Sequence, residues 1–242
     1  MSERISIAKT HRIVLTVALA CACLCSAAAQ QQPLPPGRVL LDSVVAVVNG
    51  DLILQSDIDD ENRFAAFQPY RDQSKPTPRD QVVDRLVDRA LILQQARLQP
   101  GPPITDAQVD AELQPLRKNI PACKAYHCET DAGWKAFVEA QGFSLDELRE
   151  RWRVRMEVLR FVEARFRMGI RITPERIHDY YEKTLVPEYR KQNAIAPPEA
   201  TISDRIQEVL LQQEVTALLE DWLKSLRAQG SVRIVKPGEA MP

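Results

Sequence analysis

The side chains able to do chemistry are few, and their spacing narrows what that chemistry is. Histidine occurs three times, at His11, His127 and His178. Cys123 and Cys128, with His127 between them, could offer ligands to a metal. A closed structural zinc site needs four ligands, however, and no fourth suggests itself nearby. In an oxidising compartment the same two cysteines, with four residues between them in the loop 121–128, most simply form a disulfide, with free thiols as the remaining option. The acids Asp57, Asp59, Asp60 and Glu61 crowd together as calcium ligands do, but the loop glycine and distal glutamate of an EF-hand are missing. At the start of a helix they would instead complement its dipole. His178, between Ile177 and Asp179 on an expected helix, reads as a surface or packing residue. The chain has no Gly-x-Ser-x-Gly elbow, no Gly-rich phosphate loop and no His-Glu-x-x-His motif. Nothing nominates a nucleophile, so the expectation is a binding protein with no catalytic residue, no metal and no cofactor.

Binding residues must then be sought among the arginines and aromatics. The run Arg149, Arg151, Arg153, Arg155, continuing to Arg160, Arg165 and Arg167, could hold acidic peptides or phosphates. Its alternation with Glu147, Glu150, Glu157 and Glu163 at i, i+3 or i+4 favours a solvated, salt-bridged helix face. With 32 Lys plus Arg against 33 Asp plus Glu, the net charge of −1 argues against a nucleic-acid partner. Phe64, Phe67, Tyr70, Trp134 and Phe137 lie on short helices beside irregular segments. Such aromatics are core residues, or, if exposed, the lining of a cleft for apolar peptide segments; these five are the candidate peptide-binding residues.

The elements that must position them are mainly helical. Eight glycines and 27% charged residues suit helices better than a strand-rich barrel. Residues 42–55 read as two β-branched strands joined at Asn49-Gly50, a strong hairpin signal because both residues tolerate φ > 0. A hairpin is not stable alone, and the one other β-rich run is 231–235, so the C-terminal strand is expected to return and pair with it. Between them, Ser56 or Asp57 caps a helix through about Phe67, and Thr77-Pro78 opens a second with Pro78 at its first position. Thr105 with Gln108, and Ser144 with Glu147, form capping boxes. Thr130 or Asp131 opens a short helix ending at Gly142, and Pro115 should kink or end the helix containing it. The helix from Ser144 runs to about Met168-Gly169 with Leu148, Trp152, Met156 and Leu159 on one side. Thr173-Pro174 begins another, and a last helix from Thr201 or Ser203, of about 26 residues, would be roughly 40 Å long.

The first residues read as an address. Arg4, Lys9 and Arg12 precede an apolar run from Ile13 to Leu24 that ends in Ser26-Ala27-Ala28-Ala29, the pattern of a secretory signal peptide cleaved after Ala29. That run is short for a membrane span. Cys21, Cys23 and Cys25 lie in this region, without the Leu-small-small run that lipid attachment needs. The expected organisation is a signal peptide over 1–29, a flexible Pro-rich lead-in over 30–41, a single domain over 42–236 and a disordered tail over 237–242.

Taken in order, these segments resemble the SurA-like periplasmic chaperone family. Asp42-Ser-Val-Val-Ala-Val-Val-Asn-Gly-Asp-Leu-Ile-Leu-Gln-Ser-Asp57 looks like the opening hairpin and acid-rich helix start. Residues 85–94 are similar to that family's second helix, 104–109 to its third, and 142–149 to the start of its long helix. Ile172-Thr-Pro-Glu175 with Tyr180-Tyr181 resembles the junction leading into a parvulin-type prolyl isomerase domain, and 206–235 the terminal helix and returning strand. The resemblance implies a multi-helix chaperone core with a small antiparallel sheet.

It also implies function. Only Pro187 to Ala200 separates the helices that would flank a parvulin domain, too short a span to hold one, so that domain and its activity are expected to be absent. What remains implies an ATP-independent chaperone in the periplasm, binding unfolded exported polypeptides, outer-membrane proteins above all, through an apolar cleft. Two other readings stand beside it: a degenerate or partner-dependent prolyl isomerase, and a structural adaptor subunit of an envelope complex.

Overall fold

A computed structural model describes residues 41–68 and 77–236. The expected signal peptide, the lead-in up to residue 40, Tyr70 and the expected tail lie outside the described residues. Strand β1 (Val44–Val48) and β2 (Asp51–Leu54) form the hairpin. Asn49 and Gly50 take φ of 51° and 95°, the positive pair that a two-residue turn needs. A bulge between Val44 and Ala46 lets the adjacent Val45 and Ala46 both be buried. Strand β3 (Val232–Ile234) pairs antiparallel with the other edge of β1, giving the order β2-β1-β3.

The expected strand return is therefore present, and its lock is visible. The Asn49 backbone N–H donates to the Ser231 carbonyl at 2.8 Å, and the Ser231 N–H donates to Asn49 Oδ1 at 2.7 Å. Asn49 Nδ2 in turn donates to Gln94 Oε1 at 2.8 Å, while Gln94 Nε2 reaches the Val48 carbonyl and Asp51, both at 2.9 Å. At Gly230 a Cβ would come within 2.7 Å of Asn49 Oδ1, so a larger residue there would have to displace the Asn49 side chain from this lock.

Among the described residues there are eight α-helices: α1 (Gln55–Phe64), α2 (Arg79–Leu98), α3 (Asp106–Asn119), α4 (Asp131–Ala140), α5 (Leu145–Phe166), α6 (Pro174–Tyr180), α7 (Val186–Lys191) and α8 (Glu199–Gln229). The fold is mainly α with a small antiparallel sheet. Both capping boxes are formed: the Thr105 N–H donates to Gln108 Oε1 at 2.9 Å, and the Ser144 N–H to Glu147 Oε2 at 2.7 Å. Thr130 and Thr173 accept from the third residue of their helices.

Several boundaries differ from expectation for identifiable reasons. Helix α1 begins one turn position earlier, since Asp57 is the residue that reaches back to the Leu54 N–H at 2.8 Å. Pro78 stands just before α2 instead of within it. Pro115 does not end α3, which continues to Asn119 because Leu113 and Leu116 on either side of the proline are both buried. Helix α8 starts at Glu199, behind Pro198, whose φ of −54° already suits helix entry, and at 31 residues it is roughly 46 Å long.

The core is divided. The sheet packs on α2 through Val45, Ala46, Val48 and Ile53 against Val82, Val83, Val87 and Leu91. An aromatic cluster joins the end of α1 to α3, α4 and the first half of α5. Cys123 and Cys128, both buried in that cluster, are joined by a disulfide. Ile92, Val162 and Val215 join α2, α5 and α8, and Ile177, Ile206 and Leu210 join α6 to the first half of α8. Arg227 Nη2 binds Asp88 at 2.6 Å, tying the end of α8 back to α2; burial nonetheless pushes the Asp88 carboxyl above its ordinary pKa.

Candidate peptide-binding groove

The apolar residues of helix α5 spread over roughly 220° of its circumference, at 100° per residue, from Phe161 and Val154 through Leu148 to Met156, with Arg151 and Arg155 among them. No single neighbour can cover so wide an arc. Toward the N-terminus α3 and α4 cover it, and toward the C-terminus α2 and α8 do. In between, three open depressions meet on its flank. The first, of about 460 Å³, lies between α1 and α5 over Phe64, Phe143, Val154 and Val158. The second, of about 470 Å³, lies between α5 and the loop after α2, with Leu93, Pro100, Pro103 and Phe161 in its walls. The third, of about 620 Å³, lies between α5 and α3 over Phe67, Leu116, Trp152 and Met156.

The depressions share walls. Val154 belongs to the first and second, and Arg155 and Leu159 to the first and third. Leu159, 53% exposed, is a large apolar side chain left open where they meet. Together they form an apolar groove crossing α5 with a charged rim, and each depression has the size of an ordinary small-ligand pocket.

The rim is built from ion pairs between helices. Asp60 on α1 accepts from both Arg63 and Arg151, and the two guanidiniums lie over the Phe143 ring at 5.3 and 5.6 Å from its centre. Glu61, 2% exposed and the one buried charged residue among those described, accepts from Arg89 Nη2 at 2.7 Å. Burial pulls the pKa of Arg151 and of Arg155 below the usual arginine value, and for Arg155 the neighbouring Arg89 charge adds to the effect.

The candidate residues are distributed differently from the sequence expectation. Phe64, Phe67, Trp134 and Phe137 are 4%, 0%, 2% and 1% exposed and form the aromatic cluster. Phe67 is its hub, with ring centres 5.6 to 6.0 Å from Phe137, Phe143, Trp134 and Phe64. As open lining they do not serve; Phe64 and Phe67 contribute to the floors of two depressions, and Trp134 and Phe137 hold α4 in place. Tyr70 lies outside the described residues. The metal option is displaced because the Cys123 and Cys128 sulfurs bind each other and exposed His127 faces Glu129 at 3.3 Å. Of the four acids only Asp57 lies in the first turn of α1; Asp59, Asp60 and Glu61 fall further along the helix, where Asp60 and Glu61 clamp α1 to α5 and α2.

The arginine run keeps two expected pairs, Arg153 with Glu150 and Arg167 with Glu163, while Arg149 pairs instead with Asp146, and Arg149 and Arg153 also reach Asp110 and Asp106 on α3. The groove residues Val154 and Val158 escaped sequence reading. The signal was a second apolar stripe on α5 beside the Leu148-Trp152 one, making the helix too apolar for a single covered face.

Comparison with known proteins agrees with this architecture. The family model of the SurA N-terminal domain matches residues 41–167, more than half of the chain. Chaperone SurA of Alkalilimnicola ehrlichii is 29% identical over 205 residues, covering 81% of this chain and 44% of the relative. Chaperone SurA of Pseudomonas aeruginosa is 28% identical over 175 residues, covering 70% of this chain and 41% of the relative. The chain thus spans less than half the length of these relatives. A solved chain from work on PEB4 and Cj1289, two structurally related SurA-like chaperones of Campylobacter jejuni, superposes with a TM-score of 0.50 at 11% identity, covering 80% of this chain and 99% of its own, a likeness of fold. From its hairpin to the end of its long helix, the chain belongs to the SurA-like chaperone family.

Proposed function

We propose that this protein is an ATP-independent holding chaperone of the periplasm, which binds unfolded exported polypeptides, outer-membrane proteins in particular, in the groove across α5 and performs no catalysis on them. The observation that carries the reading is the open apolar surface around Leu159, set between preformed walls in a chain of this family. Burying such a surface against apolar client side chains contributes about 25 cal/mol per Å², enough for weak and reversible capture. Release then needs no nucleotide, which suits an envelope compartment. The signal-peptide reading of residues 1–29 supports export, and the short span of 192–198 between α7 and α8, where the family resemblance would place an isomerase domain, supports a purely binding role.

The test is dilution of a urea-unfolded outer-membrane porin into buffer without nucleotide. Suppressed light scattering at a few-fold molar excess is the expected outcome. Unchanged aggregation, or acceleration of a proline-limited refolding reaction, would overturn the proposal, the latter in favour of an isomerase.

A further inference from the structure

The groove is apolar in its walls but carries unbalanced charge where its first and third depressions meet. Arg155, one helical turn beyond Arg151 on α5, lines both. The nearby anions are already engaged: Asp60 by Arg63 and Arg151, Glu61 by Arg89, and Glu150 by Arg153. Glu147 closes the cap of α5, and Glu112 stands in the far wall of the third depression without bonding to Arg155. Among the described residues Arg155 has no ion pair or hydrogen bond. Its guanidinium lies over the Trp152 ring, 5.6 Å from the centre, with Leu159 one turn further along the helix.

Arg155 is an exposed residue whose guanidinium feels both the Arg89 and the Glu61 charges, but Glu61 is already bonded to Arg89, so among the described residues no carboxylate occupies the Arg155 donors. Its planar fork of donors matches a carboxylate better than any other common group on a polypeptide. Resting on the holding function proposed above, we propose that Arg155 is a specificity-determining residue that receives an internal Asp or Glu side chain of a client segment lying extended across α5. An internal acid, not a chain terminus, fits because apolar depressions open on both sides of Arg155. In a continuous strand alternate side chains share a face, so the residues two before and two after the acid, about 6.6 Å away on either side, enter the depressions while the acid meets the arginine. The preferred segments are therefore acids with large apolar residues two positions to either side.

The test uses the full chain and end-blocked eleven-residue peptides carrying an uncharged dye, with a central Glu or Gln and leucines two positions to either side, followed by fluorescence anisotropy at low salt. The expected result is about fivefold tighter binding of the Glu peptide. In R155M, whose folding is checked by circular dichroism, the ratio of Glu-peptide to Gln-peptide affinity falls to about one, and R155K keeps part of the preference. Equal binding of both peptides by the wild type, a preference that survives in R155M, or failure of both peptides to bind would overturn the inference. So would tighter binding by a Gln peptide with a free terminal carboxylate, which would assign the site to chain ends. Porin holding by the wild-type chain, measured in parallel, separates this failure from failure of the chaperone reading: holding without a peptide preference overturns the role of Arg155 alone, and absence of holding overturns both.

Discussion

Replacing Phe67 by alanine separates a packing role from a binding role for the aromatic cluster. The side chain is 0% exposed and faces four aromatic rings at 5.6 to 6.0 Å. Removing a buried phenylalanine costs about 3–5 kcal/mol, and each lost aromatic pair adds about 0.5–1.5 kcal/mol beyond area. Part of that is one loss counted twice, so about 4–5 kcal/mol is the expected total, a large share of the roughly 5–15 kcal/mol that holds a domain together. In a urea titration followed by circular dichroism, with a slope of about 2 kcal/mol per molar, the midpoint should fall by about 2 M. Phe67→Leu, which keeps most of the volume, should lose much less and hold clients normally while native. A Phe67→Ala loss below about 1 kcal/mol, accompanied by weakened client binding in the folded protein, would refute the packing assignment and restore Phe67 as a contact residue.

Other perturbations follow from the same contacts. Asn49→Ala should cost about 2–3 kcal/mol, from a left-handed backbone position and two hydrogen bonds, whereas Asn49→Gly should cost less because the conformation is kept; equal losses in urea titrations would count against the backbone share. Glu61→Ala, which strands the Arg89 charge, should cost about 3 kcal/mol, and adding Arg89→Met should recover much of it in thermal unfolding. His178 Nδ1 donates to Glu199 Oε2 at 2.9 Å, and that hydrogen bond and the carboxylate charge raise its pKa above the ordinary 6.5. Its contribution is therefore fully present below pH 6.5 and is lost as pH rises through the higher folded value. NMR titration of His178 should show the raised pKa, and Glu199→Gln should return it toward 6.5.

How far the molecule is legible in its sequence depends on the range of the interaction. Asn49-Gly50, Thr105 with Gln108 and Ser144 with Glu147 announce themselves because a turn or a cap is chemistry within a few residues. The strand return was accessible by a different route: a hairpin needs a third strand, and the chain has one other β-rich run. Pro115 misled because a local rule was overridden by Leu113 and Leu116 on the buried face of α3. Phe64, Phe67, Trp134 and Phe137 stood open between core and lining because aromatic character does not say which side of the surface a ring lies on, and all four are buried. The groove was least legible. Its walls come from α1, α2, α3 and α5, so Val154 and Val158 become lining only when separate helices meet around them.

The α5 groove as the place where clients are held is most directly tested by site-specific photocrosslinking to an unfolded porin. A photoreactive residue at Leu159, 53% exposed in the groove, is compared with one at Leu218, 44% exposed on α8 and outside it. Strong crosslinking from position 159, competed away by excess unlabelled porin, with little from position 218, is the predicted result. Equal yields from the two, or a higher yield from 218, would contradict it.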